Sequence, residues 1–183
     1  MRILRLSVEG LGYINATVLR LTRTAAWLLL VVMVVVILLQ VVFRYGFNNA
    51  LPWPEEAARS MMIWMMALIA PSAYRWGGFV SIDLLKDLLP ARLSSLLNLI
   101  LLLLAAAVLW ILLNQAMAHF RSGFLFTATG LKIKLAWIYL AMSVCFGLML
   151  SVNLELSLRE VGRLIGRPED FPQPVTDAAL SSE

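Results

Sequence analysis

Four long stretches without a charged residue divide the chain. The first, residues 24–43, lies between Arg23 and Arg44 and is interrupted only by Gln40. Its 20 residues would form about 30 Å of helix, the thickness of a bilayer's hydrocarbon core. The second, residues 60–74, is 15 residues long, or about 22 Å as helix, and is too short alone. A helix over residues 54–75 solves this. Pro54 suits a first helical position, Glu55 and Glu56 suit a positive helix N-terminus, and Arg59 can snorkel or pair. Pro71 is a candidate kink. The third stretch is residues 93–118 and the fourth residues 135–154. Backbone groups in lipid must be satisfied within the segment, so these runs predict helices.

The expected fold is therefore all-α, an integral membrane protein with four transmembrane helices in one domain over residues 1–165. With four spans both termini share a side. That side would hold ten Lys and Arg against five on the other, so the positive-inside rule places both termini in the cytoplasm. Trp27, Trp53, Trp76, Trp137 and Tyr139 fall near span ends, where an aromatic belt belongs. The first run exceeds a signal-peptide core and follows 23 residues, which predicts a retained span. Before it, Leu4, Val8, Leu11, Val18 and Leu21 recur at helical spacing. Residues 3–21 are thus either an interfacial helix or, given Gly10 and Gly12, a frayed basic tail. After the fourth span, residues 155–165 continue the helix with mixed charge, and Glu155 can pair with Arg159 four residues on. Gly166 and Pro168 should stop it, and residues 166–183 read as a disordered cytoplasmic tail.

Composition narrows the function. Hydrophobic residues make up 61% of the 183 and charged residues 14%, which excludes an ordinary soluble domain. The net charge of +4 sits beside apolar runs and does not point to nucleic acid. One cysteine, Cys145, excludes an intrachain disulfide, and one histidine, His119, excludes a site of two imidazoles. No charged residue lies near the centre of a span, where proton relays and ion paths are found. The mid-span polar residues Gln40, Asn98, Asn114, Gln115 and Ser143 are expected as interhelical hydrogen-bonding groups, with a lined path as the other reading. Enzyme chemistry and cofactor or metal sites have no supporting constellation. The loop 119–134 carries Phe124, Leu125 and Phe126, which mark either a dip into the membrane interface or a protein contact.

The densest motif runs from Gln40 to Asp83. It holds Phe43-Arg44-Tyr45-Gly46-Phe47, then Trp53-x-Glu55-Glu56-x-x-Arg59, an apolar span, Arg75-x-Gly77-Gly78 and Ile82-Asp83. Glu55 and Glu56 stand four and three residues before Arg59, on its helix face, which predicts charge-neutralised capping, with Arg44 as a further candidate partner. Gly77-Gly78 reads as a turn before a short amphipathic piece at residues 80–89. This string, with four spans and basic termini, resembles the small membrane subunit (DctQ type) of tripartite ATP-independent periplasmic, or TRAP, transporters, over about residues 20–160.

The resemblance implies a role that composition could not. TRAP systems import organic acids coupled to a sodium gradient. A periplasmic protein captures the substrate, and a large multi-span membrane subunit carries the substrate and sodium sites. The small subunit is expected to be a non-catalytic scaffold in the bacterial inner membrane, without a cofactor of its own. Its structural and interface candidates are Arg44, Trp53, Glu55, Glu56, Arg59 and Asp83. The alternative is an autonomous homo-oligomeric transporter or channel whose path would need the mid-span Asn and Gln residues.

Overall fold

The computed structural model describes residues 2–49, 51–76, 91–128 and 130–165. Within them lie four α-helices: α1 Arg2–Gly46, α2 Trp53–Arg75, α3 Ala91–Ser122 and α4 Ala136–Ile165, with a 3-10 turn Gly123–Leu125 after α3. Asp83, the Gly77-Gly78 turn, the amphipathic piece at residues 80–89 and the tail 166–183 lie outside the described residues. The all-α expectation holds. Three of these helices are long and apolar enough to cross a membrane, within Val8–Gly46, Leu93–Leu125 and Ala136–Ile165. The shorter α2 carries Glu55, Glu56 and Arg59 in its first two turns, which lowers its apolar content.

Residues 3–21 are helical and run unbroken into the first charge-free stretch. They form the first half of α1, whose 45 residues measure about 68 Å at 1.5 Å per residue. Leu21, placed on the apolar face by spacing, is 66% exposed. The inward line is Val8, Gly12, Asn15, Leu19 and Ala26, at intervals of four, three, four and seven. That is the repeat of a helix wound gently on its neighbours. Gly12 costs helix propensity, but its missing side chain permits close approach. A Cβ there would sit 2.8 Å from Arg159 Nη2 and 3.1 Å from Glu155 Oε1.

Successive helices form two hairpins, α1–α2 and α3–α4, joined through α2 against α4; α1 also meets α4, and α3 is held chiefly through α4. The α3–α4 turn is tight because Gly123 lies on the start of α4, where an added Cβ would stand 2.7 Å from the Ala136 backbone. α2 begins after Pro52, keeps Pro54 in its first turn and continues past a buried Pro71 to Arg75.

Much of the interior is made of small and polar groups. Ala57, Ala67, Ala136 and Ala141 are buried, and the largest fully buried side chains include Glu155, Val152 and Asn153. Leu28, Val31, Val35 and Leu38 on α1 and Leu103, Leu104, Val108 and Ile111 on α3 are exposed. This is the arrangement of helices in lipid, where small residues let backbones approach and polar groups turn inward.

Candidate functional site

Two polar clusters tie the helices together, one at each end. The first joins the N-terminal half of α1 to the ends of α2 and α4. Glu155, one residue past the fourth charge-free stretch, has a fully buried side chain. Its Oε1 accepts hydrogen bonds from Arg75 Nη2 at 2.8 Å and from Arg159 Nη2 at 2.9 Å and Nε at 3.1 Å. Its Oε2 accepts from Asn15 Nδ2 at 2.8 Å and Arg75 Nε at 3.2 Å. Arg75 thus grips the carboxylate with two nitrogens and donates also to the Gly12 carbonyl at 3.2 Å. Asn15 and Ser151 add further bonds between α1 and α4. One carboxylate therefore binds three helices.

Around it, Asn153 on α4 donates to the Tyr74 hydroxyl on α2. Leu19, Tyr74 and Val152 form an apolar cluster, with Met149 and Leu156 packed against it. The Arg23 guanidinium lies 4.7 Å from the centre of the Trp76 ring, a cation–π contact between α1 and the end of α2. Both Glu155 oxygens are saturated by donors, so the group is built to hold helices rather than to exchange protons or bind a ligand.

The second cluster lies at the opposite end. Glu56, in the first turn of α2, turns to the α3–α4 loop, where its Oε2 accepts from the backbone N–H of Gly130 and of Leu131. A carboxylate bridging successive amides makes charge-assisted hydrogen bonds, stronger than neutral ones. Gly130 is required by closeness: a Cβ would stand 2.6 Å from Glu56 Oε2 and 2.9 Å from the Pro52 carbonyl oxygen. The loop closes on itself through Ala128 N–H to the Ile133 carbonyl at 2.8 Å and Leu135 N–H to the Phe126 carbonyl at 3.1 Å.

The residues singled out by sequence do not form one cluster. Glu55 pairs with Arg59 at 3.3 Å, and both side chains are more than two-thirds exposed. Glu56, expected on Arg59's face, instead serves the loop, because adjacent residues on a helix point about 100° apart. Arg44 lies over the Tyr45 ring, 5.8 Å from its centre, rather than with the acids. Trp53 opens α2 at 36% exposure. Of the mid-span polar residues, Asn114 donates to the Trp110 carbonyl of its own helix. Ties between helices come instead from Asn15, Ser151 and Asn153. The expected Glu155–Arg159 pair is present. Its extension to Arg75 and Asn15 lies beyond what spacing along one helix predicts. The signal available was an acid directly after an apolar run and an Asn on the inward line of α1. Among the described residues, no three His, Cys, Asp or Glu side chains gather as metal ligands do.

Long exposed apolar helices, with polar groups gathered between them at the two ends, define a multi-pass helical membrane protein. Similarity to known proteins narrows this class. The family described as tripartite ATP-independent periplasmic transporters, DctQ component, matches residues 33–163, and the chain belongs to it. Membership of this family and three helices long and apolar enough to cross a membrane make it a multi-pass protein of the inner membrane. Over 147 residues it is 29% identical to the isethionate TRAP transporter permease protein DctMQ of Oleidesulfovibrio alaskensis, covering 77% of this chain and 22% of that protein. Over 62 residues it is 37% identical to a Haemophilus influenzae protein provisionally named a TRAP transporter small permease, covering 34% of this chain and 38% of that one. The aligned stretches span well under half the length of these relatives.

Proposed function

We propose that this chain is a non-catalytic scaffold subunit of a sodium-coupled TRAP transporter that imports an organic acid. It braces a large membrane subunit, which carries the substrate and sodium sites and receives substrate from a periplasmic binding protein. In this reading all four helices cross the membrane with both termini in the cytoplasm. The 23 residues of α2 measure about 34 Å, enough to cross about 30 Å of hydrocarbon. The ten-to-five distribution of Lys and Arg supports that orientation.

The observation that carries the proposal is where the polar and apolar groups lie. The most apolar windows of α1 and α3 are 6% buried each. Such faces suit lipid or the helices of a partner. The buried charge is spent on joining α1, α2 and α4 near one end, and no charged residue stands mid-span to carry an ion. The DctMQ relative, a fusion in which the stretch like this chain takes 22% of the length, supports a large partner as well.

The test is to express the tagged chain in its native host, solubilise it gently, identify what accompanies it, and reconstitute uptake. The expected result is a large multi-span partner at near one-to-one, with sodium-dependent uptake only when both are present. Transport by this chain alone, or a homo-oligomer under conditions that preserve other membrane complexes, would overturn the proposal.

A further inference from the structure

Between α3 and α4 the chain presents an apolar tip that packing within the molecule does not cover. Phe124 is 47%, Leu125 81% and Phe126 60% exposed. Such exposure belongs to mobile loops in many proteins, but this loop is fastened. Glu56 holds Gly130 and Leu131, Gly123 is pressed on Ala136, and Thr127 pairs with Lys134.

Two contacts set its depth. The Phe124 ring packs edge-on against Phe120, 5.2 Å between centres, one turn back along α3. Phe120 lies two residues past the third charge-free stretch. The Phe126 carbonyl accepts from the N–H of Leu135, the first residue of the fourth stretch. The apolar tip therefore folds back beside the ends of two spans instead of reaching away from them. Trp137, 59% exposed, stands two residues further on, in the first turn of α4.

The charges match this placement. Arg121, Lys132 and Lys134 flank the tip and are all exposed. The acid that reaches the loop, Glu56, is bound to its backbone. Apolar side chains level with span ends, ringed by three cations, fit a phospholipid surface: rings among the glycerol and upper acyl groups, cations at phosphate. We propose that the α3–α4 loop is a lipid anchor that seats this end of the hairpin in the membrane interface and favours anionic headgroups. The proposal rests on reading α3 and α4 as membrane spans, and commits to lipid over a protein partner.

The test places a nitroxide on the loop. In a Cys145→Ala background, Leu125→Cys is labelled in the full chain, purified with whatever partner accompanies it and placed in phospholipid nanodiscs. The unsubstituted Cys145→Ala preparation supplies the background signal, and Phe126→Cys serves as a second position. Oxygen should relax the label more strongly than a water-soluble nickel chelate. Stronger relaxation by nickel would place the tip in water, and access by neither would place it under protein; either result overturns the anchor. The label should sit deeper in phosphatidylglycerol than in phosphatidylcholine, and Lys132→Gln with Lys134→Gln should remove that difference. Equal depth in both lipids for the unsubstituted loop overturns the preference for anionic headgroups. The large partner is measured in the same preparation. A water-exposed label in an intact complex refutes the anchor alone, whereas loss of the partner refutes the scaffold.

Discussion

Glu155→Gln is the sharpest test of how this helix assembly is held. The substitution preserves shape and removes one charge. In the native protein Glu155 is fully buried and accepts bonds from Arg75, Arg159 and Asn15. A glutamine amide has one acceptor oxygen and one donor group in their place, so its NH2 must face a guanidinium or the Asn15 amide. Two guanidiniums, whose side chains retain only 12% and 16% exposure, lose their counter-charge. Breaking a buried ion pair from one side typically costs about 3–5 kcal/mol. Residual exposure of both arginines places the expected loss at the lower end, about 3 kcal/mol. For a chain of this length each kcal/mol moves the midpoint by about 2–4 °C, so Tm should fall by about 6–12 °C. The assay is scanning fluorimetry of the purified protein in mild detergent or nanodiscs. Limited trypsin digestion provides a second, local readout. Releasing the N-terminal half of α1 should expose the backbone at Arg20 and Arg23 to cleavage while the α3–α4 hairpin stays resistant. A Tm change below about 2 °C, less than one kcal/mol, with unchanged cleavage, would refute the view that this carboxylate joins α1, α2 and α4.

At the opposite end, Glu56→Ala removes the acceptor for two loop amides and should cost about 1–3 kcal/mol. Amide hydrogen exchange should rise at Gly130 and Leu131, and the yield of the complex or its uptake should fall without loss of membrane insertion; unchanged exchange would refute the loop assignment. Glu55→Ala removes only an exposed pair with Arg59 and should change stability by no more than about 1 kcal/mol. A Tm loss at Glu55 equal to that at Glu56 would contradict the division of labour between the adjacent acids. Gly123→Val would drive a branched side chain into the Ala136 backbone, where even a Cβ comes within 2.7 Å. It should separate α3 from α4 and lower the yield of folded protein, whereas Gly10→Ala, open to 4 Å around its Cβ, should be tolerated or mildly stabilising.

Much of the architecture could be read from one dimension because lipid imposes a one-dimensional constraint. A segment must be apolar for long enough and must satisfy its own backbone, so residues 24–43, 93–118 and 135–154 announced helices by composition alone. The Glu155–Arg159 pair was legible too, since spacing along a helix settles which side chains meet. What periodicity could not supply was direction relative to a neighbour. Asn15 and Leu21 both lie on α1, and helical spacing marked an apolar line through Leu21 without saying which side meets a neighbouring helix. The structure buries Asn15, because α4 offers it the Glu155 carboxylate, and leaves Leu21 exposed. Arg75 and Glu155 stand 80 residues apart in the chain, and only the parallel packing of α2 on α4 brings them to 2.8 Å. Glu55 and Glu56 looked equivalent beside Arg59. The fold separates them because the α3–α4 loop passes over one side of α2 and presents its amides there. The sequence by itself determined which segments are apolar enough to enter a membrane and that they would be helices. Tertiary structure decided which polar groups would join those helices, because a buried charge takes its role from the partners that surround it.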